Sequence, residues 1–251
     1  MLNHPTLDKL LELNLLGMAE AFKQQAQLPE AAKLSFDERF GLLVDAEYSD
    51  RDNAAYTKRL KAAKLRQAAC IEDLDFEPSR GLDRKLIAQL STCTWIREGL
   101  NVLITGKTGV GKSYVACALA QKACRMGFST LYLRAPRFFQ DLTVARIKGT
   151  YSRHLNTLAK TELIILDDFA LVPITEEQCR DLLEVTDDRY GRSSLVIASQ
   201  LPVKSWYQTF ANETLADAIL DRVVHESYRL DLGGGTQRDP EHNQKRKGNK
   251  T

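Results

Sequence analysis

Residues 99–113 read GLNVLITGKTGVGKS. A short apolar run, Val102-Leu103-Ile104, gives way at Gly106 to Lys107-Thr108-Gly109-Val110-Gly111, and Lys112, Ser113 and Tyr114 then open a helical pattern. The spacing is G-x-x-x-x-G-K-[ST], with a strand before it and a helix after it, the context in which that pattern binds phosphate. Its glycines let the backbone curl so that several N–H groups converge on phosphate oxygens with no side chain in the way. Lys112 is placed to reach the β- and γ-phosphates as a point charge, and the Ser113 hydroxyl to ligate Mg²⁺. The loop from Gly106 to Tyr114 is therefore read as a nucleotide site.

Downstream, LIILDDFA (163–170) is an apolar strand ending in two acids. A P-loop NTPase holds Mg²⁺ at such a strand end. Asp167 fits that role, and Asp168 is placed to polarise the attacking water. Adjacent carboxylates repel each other without a cation, so a loop cap explains the pair poorly. The strand Leu195-Val196-Ile197-Ala198 ends in Ser199-Gln200, where Gln200 either orients water or the γ-phosphate or simply terminates the strand. In ADAILDRVVHESYRL (216–230), Arg222 lies outward of Ala218, Ile219 and Val223, with no evident carboxylate partner except Asp221, which i,i+1 geometry points elsewhere. Such an arginine is a solubilising charge or an arginine finger that stabilises transition-state charge from a neighbouring subunit.

Around these motifs, apolar runs at 101–105, 129–133, 163–167 and 194–199 alternate with helical patterns at 112–126, 136–147 and 175–189. Helices near 204–210 and 214–225 and a short strand at 227–232 follow. Alternation of this kind predicts an α/β fold, a parallel sheet with helices on both faces. Ahead of it, residues 5–27 repeat leucines at helical spacing, and Ser35-Phe36-Asp37-Glu38 forms a capping box for a helix running on toward Lys64. Residues 51–66 carry Arg51, Lys58, Arg59, Lys61, Lys64 and Arg66 against one acid, Asp52. A solvated basic face and a face that meets DNA phosphates both fit that pattern. Residues 70–80 read as an acidic connector. The expected organisation is a helical N-terminal domain over 1–68, a nucleotide-binding domain over 69–232, and an unstructured polar tail over 233–251.

The 251 residues leave room for one α/β domain plus something smaller. A hydrophobic share of 43% supports a sizeable core, and a net charge of +2 excludes little. The 5 cysteines form no C-x-x-C, so neither a disulfide framework nor a zinc site is indicated. No signal peptide or membrane span is legible, and the expectation is a cytoplasmic protein with no membrane partner.

With these elements in order, the chain resembles the AAA+ ATPases of the helicase-loader and initiator branch, and more closely the IstB family. The resemblance runs over roughly 5–232: Glu38-Arg39 through the basic helix, GKTGVGKS, LIILDDFA, Asp188-Arg189-Tyr190 before SLVIASQLP, Trp206, and AILDRVVH followed by SYRL. It implies ATP and Mg²⁺ as cofactors, ATP-dependent assembly of a homo-oligomer on duplex DNA, and stimulation of a partner transposase (IstA-like). By position, Lys112, Ser113, Asp167, Asp168 and Arg222 take the AAA+ roles. AAA+ proteins usually carry Glu where Asp168 stands, and the missing methylene points to slow hydrolysis, which the resemblance implies is DNA-stimulated. Asn is usual where Gln200 stands, and no helical lid follows. Two rivals share the loop. A DnaC-like replicative helicase loader differs in its N-terminal partner, and a small-molecule kinase would need an arginine-rich lid but no basic helical domain.

Overall fold

The computed structural model describes residues 5–225 and 227–237. The chain divides into two compact units, residues 1–58 and 59–251. The first holds α1 (Pro5–Glu12), α2 (Leu16–Gln27) and most of α3 (Phe36–Ala63). One helix was expected over 5–27. The break comes at Asn14, whose φ of 56° is the left-handed conformation that asparagine tolerates better than most residues. The α3 start carries the expected box: Ser35 N–H donates to Glu38 Oε2 (2.8 Å) and Glu38 N–H to Ser35 Oγ (3.3 Å). Those two bonds satisfy backbone donors that a helix start otherwise leaves without partners.

The second unit takes the end of α3, then α4 (Arg84–Ser91), α5 (Thr94–Arg97), β1 (Asn101–Gly106), α6 (Lys112–Arg125), β2 (Thr130–Arg134), α7 (Ala135–Ile147) and α8 (Tyr151–Lys160). It continues through β3 (Leu163–Phe169), α9 (Glu176–Arg189), β4 (Ser194–Ser199), α10 (Glu213–Val224) and β5 (Ser227–Leu232). Among the described residues the strands form one five-stranded sheet in the order β2-β3-β4-β1-β5, and every adjacent pair is parallel. A parallel sheet needs a crossover between neighbours, which puts helices on its faces and buries its strands on both sides. Alternate residues accordingly feed two cores. Val102, Ile104, Ile165 and Val196 pack beneath α6, while Leu103, Ile164, Leu166 and Ile197 pack with α7, α8, α9 and α10.

Three local expectations change. The stretch 204–210 is two short 3₁₀ turns, Val203–Ser205 and Tyr207–Thr209, wrapped about a fully buried Trp206. That indole donates to Leu201 O (3.0 Å) and meets the Phe169 ring edge-on at 4.9 Å, so one anchored side chain sets the path of the chain. Helix α8 was not anticipated, because only Leu155 and Leu158 mark its inner face. The acidic connector is a packed element: Ala69, Leu74 and Leu82 belong to the core under α6.

Arg189 closes α9 with 1% of its surface exposed and holds the amino ends of two strands. Its Nη1 donates to Leu158 O (2.6 Å) and Thr161 O (2.7 Å), and its Nη2 to Glu162 O (3.3 Å) and Ser194 O (2.7 Å). Burial alone pulls its pKa down to about 10, still charged at neutral pH. Arg189→Met should keep the volume and remove the donors. Leu158 O and Glu162 O keep backbone N–H partners. At roughly 1–3 kcal/mol for each carbonyl left unpaired, urea unfolding should show a loss of about 2 kcal/mol or more. A loss under 1 kcal/mol would mean that water replaces the guanidinium at little cost.

Candidate nucleotide-binding site

In a parallel sheet built from crossovers, all carboxyl ends lie along one edge. Gly106 ends β1 there, and the chain turns through 107–111 into α6. Gly106 has φ of 146°, and a Cβ on it would strike the Leu232 carbonyl of neighbouring β5, so glycine is required twice over. Lys112, first residue of α6, folds its side chain back across the loop and donates from Nζ to Gly106 O (2.8 Å) and Lys107 O (2.9 Å). The ammonium is thereby held inside the concavity of the loop. Thr108 Oγ1 donates to Gln200 Oε1 (2.7 Å), which brings the end of β4 to the loop's outer rim.

The acids sit on the adjacent strand end. The β3–β4 register slips between Leu166 and Phe169, and Asp168 takes a φ of 57°. A bulge of this kind re-aims side chains at a sheet edge, and here Asp167 meets Ser113 while Asp168 meets Arg134. Asp167 is 1% exposed and well supplied with donors. Ser113 Oγ donates to its Oδ2 (2.6 Å), Tyr132 hydroxyl donates to the same oxygen, and Asp168 N–H donates to Oδ1 (2.9 Å). Burial and the bond to Asp167 raise the Tyr132 pKa far above the ordinary phenol value, so Tyr132 stays a donor. Two cations answer the paired acids. Arg134, last residue of β2, lies 2.9 Å from Asp168 Oδ2, and Arg66 Nη1 lies 3.6 Å from Asp167 Oδ2 and 3.9 Å from Asp168 Oδ2. The hydrogen bond to Tyr132 is the largest cause of a raised Arg66 pKa.

A hydroxyl and a carboxylate oxygen converging beside a phosphate-binding loop are hard oxygen donors. Mg²⁺ is held in such sites by one or two protein groups, with phosphates and water completing its shell. Ser113 and Asp167 fit that ion.

The family model described as IstB-like ATP binding protein matches residues 8–246. The chain belongs to the IstB family. An insertion sequence ATP-binding protein of Sinorhizobium fredii, y4pL, is 49% identical over 247 residues, 98% of this chain and 100% of that one. A protein of Pseudomonas aeruginosa, named for ATP binding in the insertion sequence IS21, is 30% identical over 87% of this chain and 83% of its own. Among solved structures, DnaI superposes with a TM-score of 0.56 at 17% identity, covering 70% of this chain and 93% of that chain. AMPPCP-bound DnaA from Aquifex aeolicus gives 0.56 at 16%, over 67% and 51%. At those identities the likeness is one of fold: the second unit shares the parallel α/β sheet of those proteins.

In this IstB-family chain the remaining sequence-predicted residues are spread widely. Tyr114 is half-buried under the loop, packed on the core beneath α6. Arg222, expected to lack a carboxylate beyond Asp221, is ion-paired through Nε with Asp187 of α9, and its Nη1 donates to Ala218 O (2.7 Å). Only the tertiary fold brings α9 beside α10. The Arg222 and Val223 carbonyls accept from Asn101 Nδ2 at the start of β1, whereas the loop follows its end, about 17 Å along the strand. Of the six basic residues, all but the half-buried Arg59 are exposed. Arg51 donates to Glu47 (2.6 Å), Arg59 Nε donates to Cys124 O (2.8 Å), and Arg66 faces the acids.

Sequence reasoning passed over Tyr132, Arg134 and Arg80. The first two were within reach, since β2 beside β3 puts Arg134 opposite Asp167 in the register. Arg80 carried no signal: it is buried, paired with Asp75 (3.4 Å), and donates to Val110 O inside the loop (3.1 Å). The Arg80 carbonyl accepts from Gly233 N (3.0 Å), and Gln237 N donates to Gly109 O (2.8 Å). Residues 233–237, expected to be unstructured, thus run along the loop, and the remainder of that expected tail, 238–251, lies outside the described residues. No described helix is long and apolar enough to cross a membrane.

Gly127 offers a control for the loop, since its φ is 98° but nothing lies within 4 Å of an added Cβ. Gly127→Ala should cost about 1–2 kcal/mol of backbone strain in urea unfolding. Gly106→Ala should cost at least twice as much, because the Leu232 carbonyl must also move. Equal costs would remove the steric argument for Gly106.

Proposed function

We propose that the chain is a DNA-dependent ATPase that assembles with ATP on duplex target DNA and recruits or stimulates the transposase of its insertion sequence. The observation that carries the ATP half is the convergence of Lys112, Ser113 and Asp167 on one loop. Loop amides bind the phosphates, Lys112 exchanges its two carbonyl partners for β- and γ-oxygens, and Ser113 with Asp167 holds Mg²⁺. When bound, that ion neutralises charge on the β- and γ-phosphates. Asp168, on the bulge next to Asp167, accepts a proton from the attacking water. Gln200, tied to Thr108 at the rim, orients that water or the γ-phosphate. Membership of a family described by ATP binding, and relatives named for insertion sequences, support this reading and point to the transposase partner.

The distance of Arg222 from its own loop supports a finger acting in trans. Asp187 is the partner that it leaves when a second copy presents its γ-phosphate. Exposed Lys58, Lys61 and Lys64, at the end of α3 and just beyond it, supply a surface for duplex phosphates. A homo-oligomer on DNA follows from both.

Lys112→Ala should abolish binding of a fluorescent ATP analogue, and Asp168→Asn should preserve binding while turnover collapses. Unchanged ATPase in Lys112→Ala would sink the site assignment. Arg222→Ala should lower hydrolysis by roughly 10³-fold or more, as loss of an arginine finger does. Mixed with Lys112→Ala protein it should regain part of the activity, since one interface then pairs an intact loop with an intact finger. No recovery, with assembly on DNA retained, would place Arg222 outside catalysis. Duplex binding should weaken with salt at a slope near −0.9 per phosphate contacted, and Lys58→Ala with Lys61→Ala should flatten it by about two units. An unaltered slope would return these lysines to a solvated face.

A further inference from the structure

Arg66 comes from the basic segment, yet its guanidinium points at the acids. Nη1 stands 3.6 Å from the Asp167 oxygen that also accepts from Ser113 Oγ (2.6 Å). It stands 3.9 Å from Asp168, and Tyr132 is its hydrogen-bond partner. One carboxylate oxygen therefore serves both the hydroxyl that fits Mg²⁺ and a tethered monovalent cation. A divalent ion between Ser113 and Asp167 would repel that guanidinium at close range. Arg134 lies 2.9 Å from Asp168 Oδ2, the oxygen that Arg66 approaches to 3.9 Å.

The backbone behind Arg66 is fixed. Arg59 is bonded to the Cys124 carbonyl, Ala63 is fully buried, and Ala69 lies in the core. The Arg66 side chain itself is 41% exposed, so it has a path to solvent without movement of the segment. Swung out, it joins the exposed Lys61 and Lys64 on the same short stretch.

We propose that Arg66 is a tethered counter-cation of the Asp167–Asp168 pair that the metal must displace, and that its displacement couples the metal site to DNA held by the Arg59–Arg66 segment. It is a positioning residue and takes no part in bond making. Phosphates beside Lys61 and Lys64 draw Arg66 outward and open Asp167 to the metal. Metal entry in turn adds one cation to the DNA-facing set, and linkage makes the two effects equal. This inference rests on the metal and DNA assignments proposed above.

The test is Mn²⁺ binding followed by electron paramagnetic resonance, on full-length protein with stoichiometric ADP, which requires no turnover. Arg66→Ala should bind Mn²⁺ about tenfold tighter, within the usual range of coupling between sites. Duplex DNA should tighten Mn²⁺ binding in the wild type and leave it unchanged in Arg66→Ala. Unchanged or weaker Mn²⁺ binding by an Arg66→Ala protein that melts like the wild type overturns the proposal. A duplex effect of equal size in both proteins overturns the coupling. Should Arg66→Ala fail to fold, Arg66→Gln, which keeps length and a polar tip without charge, decides by the same criterion. Failure of the underlying metal assignment has a separate signature: Asp167→Asn would hold Mn²⁺ as tightly as wild type, and the role of Arg66 would fall with it.

Discussion

A carboxylate buried at a sheet edge has to be matched by donors, and much of this site is arranged around Asp167. Its two oxygens accept from Ser113, Tyr132 and the Asp168 amide, while Arg66 balances its charge. Burying such an ion alone would cost far more than a domain's net stability. The donors come from α6, β2 and the bulge of β3, so the carboxylate is met by three elements distant in sequence. That arrangement also fixes the place of Ser113 relative to the acids, which is the geometry a Mg²⁺–phosphate site needs.

The sheet is what makes the convergence possible. Parallel pairing places the carboxyl ends of β1, β3 and β4 side by side, so the loop after β1, the acids after β3 and Gln200 after β4 become neighbours. The amino ends lie on the opposite edge, where Asn101 links β1 to the end of α10 and to Leu195 near the start of β4. Arg222 belongs to that far edge. A single strand length therefore separates the parts proposed to act within one subunit from the part proposed to act on the next.

Charge at the site is balanced by more cations than a nucleotide loop alone requires. Lys112 sits inside the loop, Arg66 and Arg134 face the acids, and Arg80 braces the Val110 carbonyl from behind. Each is held by carbonyl or carboxylate oxygens. The loop is correspondingly embraced by the Arg80 side chain, which donates to the Val110 carbonyl, and by residues 233–237, where the Gln237 N–H donates to Gly109 O. Such contacts confine the loop amides to one arrangement, which lowers the ordering cost of binding phosphate.

The sequence by itself determined the sheet, the phosphate loop, the acid pair and the capping box that starts α3. These depend on period, glycine spacing and adjacent residue types, all local properties that survive without knowledge of the fold. Tertiary structure decided what each charged side chain meets. Arg66 looked like its basic neighbours and faces inward, because the buried Ala63 and Ala69 pin the segment on either side of it. Arg222 is paired with Asp187 because α9 packs on α10, and Arg80 reaches the loop because its connector folds into the core. The partners of these three arginines at Asp167, Asp187 and Val110 lie 30 to 101 residues away along the chain, and a one-dimensional pattern carries no register between such distant positions. The missed α8 and the divided α1–α2 have a humbler cause: short helices with two or three apolar residues take their stability from packing, not from propensity.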